Sequence, residues 1–321
     1  MSLLLEIKNL VREFRTGIYL GARFRAVDDV NIKLEQSKIL TIAGESGCGK
    51  STLAKIILGY LKPTYGYVIY KEKDIFNLKG KEKKWFRHEV QPVFQDPFGT
   101  FNPFNKVEYY LLNTAINFSN TKKQEEIYND IEEALLSVGL SLKTVYGKYP
   151  HEFSGGELQR LSIARALITK PSLLIADEPV SMLDASLRIE ILNLMANLKQ
   201  KFGLSIIYIT HDLSTSYYLG TITGEEIAVM YRGSIIEYGP VEKTLIEPLH
   251  PYTKMLVNSV PEPNPKKRWV DRVKFPPLEI KEFRKVGCKF VERCPYAKEI
   301  CEKQKPKVKL IDKREVRCWQ Y

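Results

Sequence analysis

Apolar positions along this chain switch repeatedly between short runs of strand length and the wider spacing of helices. Leu3 to Phe14 and Val27 to Leu34 read as strands of an N-terminal β-rich portion. Ile39 to Ala43 is a short apolar run that ends at a glycine, and Ser51 to Tyr60 after it reads as a helix. Tyr67 to Tyr70 and Val90 to Phe94 are further strands. From Gln124 to Val138 the apolar residues Ile127, Ile131, Leu135 and Val138 recur at helical spacing. Ser154 to Ile168 is another helix, Leu173 to Ala176 a buried strand, and Leu187 to Phe202 a long amphipathic helix. Ile206 to Ile209 and Ile227 to Tyr231 return to strand character. Such alternation predicts a largely parallel sheet with helices on both faces. The pattern stops at Pro261 to Pro265, which with Lys266 to Arg268 reads as a linker, and a basic cysteine-bearing segment follows.

Length and composition bound this picture. The 321 residues suffice for one large domain or two modest ones, and 44% hydrophobic content is ordinary for a globular protein. The longest apolar runs, such as Ser205 to Ile209, are strand-sized and far from the roughly 18 residues of a membrane span. Met1 to Glu6 has neither the basic nor the long apolar region of a signal peptide, so a cytoplasmic protein is expected. The net charge of +11 is uneven: Lys266 to Tyr321 holds 18 Lys/Arg against 8 Asp/Glu. A solvated lysine-rich surface, proximity to anionic lipid and balance of an anionic cofactor all fit this tail. No recognition motif supports nucleic acid.

The stretch Gly44-Glu45-Ser46-Gly47-Cys48-Gly49-Lys50-Ser51-Thr52 matches G-x-x-x-x-G-K-[ST] between an apolar strand and a helix. The glycines let the backbone N–H groups face phosphate oxygens, and the helix adds the positive end of its dipole. Lys50 is expected to reach the β- and γ-phosphates of ATP, and Ser51 to offer its hydroxyl to Mg²⁺. Cys48 reads as a filler of the loop. Further on, the strand at Leu173 ends in Asp177 and Glu178. Carboxylates at the end of a buried strand sit at a sheet's ligand-binding edge. Asp177 is expected to hold Mg²⁺, and Glu178 to act as general base toward the attacking water.

Phe153-Ser154-Gly155-Gly156-Glu157-Leu158-Gln159-Arg160 again places small residues at a helix start, where N–H donors favour an anion. This octapeptide resembles the signature of the ABC transporter ATPases. The resemblance implies that Ser154, Gly155, Gly156 and Glu157 contact ATP held by an opposite subunit, and therefore a dimer with two ATP molecules at its interface. It further implies that Gln95, in Val93 to Pro97, is the Q-loop residue on Mg²⁺, that Ser181 to Asp184 is the D-loop, and that His211 is the switch histidine. Phe14 is the candidate for stacking on adenine. Arg15 to Arg25 is an insertion relative to the family pattern, so Tyr19 and Phe24 stay open as alternatives.

Within that family the chain is similar to the oligopeptide/dipeptide-permease ATPases. The residues that carry this are Gly44 to Lys50, Phe94 to Pro97, Tyr149 to Gly156, Asp177 to Ser181, and His250-Pro251-Tyr252 followed by Ser259 to Pro261. Gly99 to Asn102 and Thr221 to Glu226 depart from the family pattern. The resemblance implies an α/β P-loop NTPase of ABC type, with an N-terminal β-rich part and a RecA-like parallel core. The ATPase is expected over 1–260, its helical subdomain over about 96–165, and the C-terminal extension over 261–321.

Cys288, Cys294, Cys301 and Cys318 are spaced C-x5-C-x6-C-x16-C, with Pro295 after the second. These gaps exceed those of common zinc pairs, and the Cys-Pro step suits an iron–sulfur cluster. The resemblance implies a [4Fe-4S] cluster at these four residues; zinc and free or disulfide-bonded cysteines remain alternatives. In function, it implies the ATP-hydrolysing subunit of an importer at the cytoplasmic face of the membrane. The expected partners are a second ABC ATPase subunit, two separate permease chains and, indirectly, an extracellular solute-binding protein. A heterodimer of ATPases is expected, with a homodimer open. A soluble ABC ATPase of translation or DNA repair is the alternative, and an iron–sulfur sensor a weaker one.

Overall fold

The strands form where β-branched and aromatic residues concentrate, as a pleated, half-buried surface favours. They are β1 (Leu3–Arg15), β2 (Arg23–Glu35), β3 (Ile39–Ala43), β4 (Tyr65–Tyr70), β5 (Lys73–Asp74), β6 (Val90–Val93), β7 (Leu173–Asp177), β8 (Ser205–Thr210), β9 (Glu226–Tyr231), β10 (Ser234–Pro240), β11 (Lys309–Ile311) and β12 (Arg314–Val316). The helices are α1 (Lys50–Ile57), α2 (Gly80–Glu89), α3 (Pro97–Thr100), α4 (Val107–Phe118), α5 (Gln124–Ser137), α6 (Leu142–Val145), α7 (Gly155–Leu167), α8 (Ala185–Phe202), α9 (Leu213–Thr223), α10 (Val241–Ile246), α11 (Pro251–Asn258) and α12 (Glu299–Lys303). The structure is a computed structural model that describes residues 2–15, 23–118, 123–260 and 286–321. Tyr19 and the linker expected at Pro261 to Arg268 lie outside the described residues. Among the described residues no helix is long and apolar enough to cross a membrane.

The chain divides into two compact units. The first is built chiefly from Ile75–Ile209, and the second from Leu5–Lys33, Leu40–Asp74 and Thr210–Tyr321. In the first unit β6, β7 and β8 pair in parallel, with Val90 opposite Leu173 and Leu173 opposite Ser205. β8 is buried along its whole length and β7 up to Asp177, as expected of parallel strands covered on both faces. The helices α4, α5 and α7 pack on one another, and their residues Leu111, Ala115, Ile131, Leu135, Leu158 and Leu161 are all buried.

The second unit holds two sheets. One runs β2-β1-β4-β5, with β1 antiparallel to β4. In the other, β3 and β9 pair in parallel, whereas β9, β10, β12 and β11 follow as antiparallel neighbours. The fold is thus a mixed rather than a largely parallel α/β arrangement. The reason is local: β9 and β10 are joined by only Arg232 and Gly233, with φ of 43° and 85°. Two residues of positive φ make a hairpin turn that matches strand twist and forces antiparallel pairing. An Arg-Gly pair is not the usual signal for such a turn, which is why β10 escaped the sequence pattern. The core of this unit gathers Ala43, Val229, Tyr231, Ile236, Tyr252 and Phe290.

Candidate functional site

The phosphate loop leaves β3, whose five residues are all buried, and enters α1 at Lys50. Two of its glycines are demanded by close approach. A Cβ at Gly44 would stand 2.2 Å from the Met230 carbonyl oxygen, and one at Gly49 would stand 2.2 Å from that of Ala26. Gly49 also has φ of 114°, a region that L side chains rarely adopt. The loop is tied down from outside: the Gly233 N–H donates to the Cys48 carbonyl at 2.7 Å, and the Asp28 N–H to the Gly233 carbonyl at 2.8 Å. Lys50 is buried, and its Nζ donates to the carbonyls of Gly44 (2.8 Å) and Glu45 (3.0 Å). The ammonium is therefore held over the loop at the N-terminus of α1, beside the positive end of the helix dipole. Burial raises the Cys48 thiol, in keeping with a space-filling role.

Phe14, the candidate adenine platform, is partly buried near the end of β1. The Arg12 guanidinium lies 4.8 Å from its ring centroid, and the Phe24 ring 5.8 Å away. His211 directly follows β8 and is exposed, one residue before Asp212. Asp212 caps α9 by accepting from the Ser214 N–H at 2.8 Å. Phe14, the phosphate loop and His211 all belong to the second unit.

The remaining candidates belong to the first unit. Asp177 ends β7, and Glu178 takes φ of 49°, a strained conformation for a residue with a side chain. That conformation is pinned by three hydrogen bonds. The Glu178 N–H donates to the Ile209 carbonyl (2.9 Å), and its carbonyl accepts from the N–H (3.2 Å) and hydroxyl (3.0 Å) of Ser181. Gln95 and Asp177 border the same recess, with Asp96 and Arg165. Gln95 and Asp177 are thus brought to one recess. Their carboxylate and amide oxygens are the hard donors that Mg²⁺ takes.

Ser154 is the N-cap of α7. Its Oγ accepts from the Glu157 N–H at 3.3 Å and donates to the Glu157 carboxylate at 2.7 Å, while the Ser154 N–H donates to that carboxylate at 2.9 Å. These bonds hold the Glu157 carboxyl below its ordinary pKa. Gly156 is buried against Leu187, and the side chain of the fully buried Gln159 reaches the Phe94 carbonyl at 3.5 Å.

The expectation of an iron–sulfur cluster does not hold. Cys288, Cys294, Cys301 and Cys318 border one small recess together with Phe290 and Trp319. Among the described residues, however, no group of three or more His, Cys, Asp or Glu side chains is arranged to hold a metal ion. Spacing along the chain does not set the direction of the thiols. Here the Cys288 N–H bonds the Cys301 carbonyl (2.7 Å), and Cys301 Sγ accepts from the Lys298 N–H (3.4 Å). Burial also raises the Cys288 thiol to about 11 and raises those of Cys294 and Cys318. The same finding removes zinc, and all five cysteines are free.

Sequence reasoning did not find the groups that brace the loop from the C-terminal side. Arg293 forms a two-pronged ion pair with Glu45, at 3.0 and 2.9 Å. The Tyr252 hydroxyl accepts from the Glu45 N–H at 3.0 Å. His250 caps α11 by accepting from the Tyr252 N–H on Nδ1 at 3.0 Å. Full burial lowers its pKa to about 3, so it is neutral. The His-Pro-Tyr triplet thus starts a helix and aims a hydroxyl at the loop. Only the triplet itself was a visible signal.

Residues 27–181 match the family described as ABC transporter, and residues 236–301 match the one described as oligopeptide/dipeptide transporter, C-terminal region. The chain is 36% identical over 330 residues to the di/tripeptide transport ATP-binding protein DppF of Pseudomonas aeruginosa (strain UCBPP-PA14), covering 99% of this chain and 98% of the relative. It is 39% identical to the oligopeptide transport ATP-binding protein AppF of Bacillus subtilis (strain 168), over 95% of this chain and 93% of the relative. Against OppF of Escherichia coli (strain K12) the identity is 36%, over 92% and 87%. Among solved structures it is similar to the ATP-binding cassette MJ0796 bound to ADP and Pi, with a TM-score of 0.64 and 26% identity. That match covers 74% of this chain and 99% of the cassette. On these matches and the loop geometry, the chain belongs to the ABC transporter ATPases, in the family of oligopeptide/dipeptide transport ATP-binding proteins.

Proposed function

We propose that this chain is the ATP-hydrolysing subunit of an ABC importer that powers uptake of oligopeptides, dipeptides or a related solute through separate permease chains. One observation carries the reading: a single chain joins an ABC transporter match over 27–181 to an oligopeptide/dipeptide transporter C-terminal match over 236–301. Its relatives are named as transport ATP-binding proteins, so a role in translation or DNA repair is not favoured.

In this reading residues 1–260 are the ATPase and 261–321 its C-terminal extension. The loop N–H groups and Lys50 Nζ bind the β- and γ-phosphates of ATP, and Phe14 stacks on adenine. Ser51, Gln95 and Asp177 would hold Mg²⁺, which when bound neutralises phosphate charge. The Glu178 carboxylate takes the proton of the attacking water, and His211 serves as the switch histidine. Ser154 to Glu157 serve the ATP of a second ABC ATPase subunit, in a heterodimer or a homodimer. Binding two ATP molecules stabilises a closed pair and biases the permease; hydrolysis resets it. The helical part at about 96–165 presents Phe98, Phe104, Tyr109 and Tyr146 to solvent, which supports docking on the permease at the cytoplasmic face.

The test is reconstitution with the neighbouring permease, partner ATPase and binding protein in liposomes. ATP turnover stimulated by peptide-loaded binding protein is expected. Co-purification with ribosomes or DNA, and no stimulation, would sink the reading.

A further inference from the structure

The chemistry proposed above makes no use of the ion pair between Arg293 and Glu45. Glu45 lies inside the phosphate loop, yet all three of its polar groups are engaged. Its N–H goes to Tyr252, its carbonyl accepts from Lys50 Nζ, and its carboxylate is gripped by both terminal nitrogens of Arg293. Two of these three partners lie in the C-terminal part of the chain. We infer that Arg293 is a positioning residue for ATP binding, which acts through Glu45 to set the curvature of the phosphate loop. The affinity for ATP is then governed in part by the C-terminal segment. The inference rests on the reading of Gly44–Thr52 as the ATP-binding loop.

The geometry is that of a lever with a fixed base. Arg293 is 5% exposed, and it lies 5.8 Å from the ring centroids of both Tyr231 and Phe290. Its Nη1 also reaches the Tyr231 hydroxyl at 3.4 Å, and its Nη2 the Met255 sulfur at 3.6 Å. Tyr231, Tyr252 and Phe290 pack as an aromatic trio, with centroids 4.4, 5.4 and 5.6 Å apart. The guanidinium cannot swing without disturbing that trio. Burial works against its charge, but Glu45 and Tyr231 more than offset this and hold it protonated above its usual range. A planar fork on a carboxylate fixes direction as well as distance. Because the Glu45 carbonyl also steadies Lys50, a tilt of Glu45 carries the phosphate-binding ammonium with it.

A second brace runs in the same sense. Lys289 Nζ pairs with Asp28 at 2.8 Å, and Lys305 Nζ with the same carboxylate at 3.3 Å. The Asp28 N–H holds Gly233, whose N–H holds Cys48. The loop is thus gripped at Glu45 by Arg293 and Tyr252 and, through Asp28 and Gly233, at Cys48.

The test uses the full chain, a fluorescent ATP analogue to measure Kd, and thermal unfolding of the same samples. Arg293→Met is expected to raise the Kd about tenfold. Arg293→Lys, a point charge without the fork, should recover only part of the loss. Glu45→Gln leaves the C-terminal segment untouched and should match Arg293→Met. The double variant should be no worse than either single one, since both act through one contact. At saturating ATP, kcat of the Arg293 variants should stay within about threefold, which separates positioning from chemistry. Lower melting temperature with wild-type Kd would make the pair merely structural and overturn the inference. Additive losses in the double variant would overturn it as well. If Arg293→Met fails to fold, an unchanged Kd in Glu45→Gln is decisive by itself. Failure of the wild-type chain to bind ATP would instead bring down the ATP reading underneath.

Discussion

At Ser154 the turn that opens α7 is held by its own neighbours. Serine and glutamate three residues apart satisfy each other's polar groups. At Gly44 the turn that opens α1 is held by strangers: Tyr252 lies 207 residues away from Glu45, and Arg293 lies 248 away. Both turns present N–H groups at a helix start, and both are proposed to meet phosphate. The first carries its support within one sequence window. The second depends on a hairpin turn, an aromatic trio and a buried ion pair that form only when the unit is complete. A local cap makes a robust, modular element; a long-range brace makes one whose performance is open to control from elsewhere in the chain.

The sharpest division is between either turn and the chemistry. Glu178→Gln should lower ATP turnover by about 10²–10⁴-fold, the worth of a positioned base, while nucleotide binding persists and a closed dimer accumulates. Gel filtration with ATP and a phosphate-release assay check this. An equal loss of ATP binding would mean that Glu178 supports the site rather than the reaction.

Next come the glycines. Gly44→Ala forces a Cβ to 2.2 Å from the Met230 carbonyl and should cost about 1–3 kcal/mol, with weakened ATP binding. Gly155→Ala meets Leu183 at an ordinary 3.5 Å and should not destabilise the fold. Denaturant titration of the two variants compares long-range with local support directly, and equal losses would erase the distinction.

Acid should loosen the long-range brace first. His250 is neutral in the fold, with a pKa of about 3 against 6.5 ordinarily, so between these values the unfolded chain binds the extra proton. Stability attributable to His250 is therefore full above about 6.5 and falls by about 1.4 kcal/mol per pH unit on acidification. The capping box keeps its charge longer, because the Glu157 carboxyl is held below its ordinary 4.5. His250→Asn, which retains a capping acceptor, should flatten the decline seen by circular dichroism between pH 6.5 and 4.5. A modest effect is expected at the capping serine: Ser154→Ala should cost about 1 kcal/mol, measured by thermal unfolding.

This contrast also explains what could be read from sequence. The phosphate loop, the Asp177-Glu178 pair and the Ser154 turn are contiguous, and each sits where a strand meets a helix or a helix begins. Their residue types alone constrain the backbone. Most of the strands and longer helices read from periodicity are present within a few residues of their expected ends. Arg293 and Lys289 gave no signal, because nothing in a run of lysines and arginines says which one will be buried on a carboxylate. β10 was missed because its turn is Arg-Gly, and α9 because Leu213–Thr223 lacks a clear apolar stripe. The four clustered cysteines misled for a related reason. Spacing counts residues, whereas ligation needs thiolates aimed at a common point.

One further consequence lies in the sheet of the second unit. Among the described residues, β10 gains its outer neighbour only from β12, through Glu237 opposite Val316 and Tyr238 opposite Glu315. During synthesis β10 leaves the ribosome well before β12 does. In that interval its row of amide and carbonyl groups is open to any other nascent strand. Chains interrupted before Arg314 would keep that open edge permanently, and should be found in the insoluble fraction of the cell.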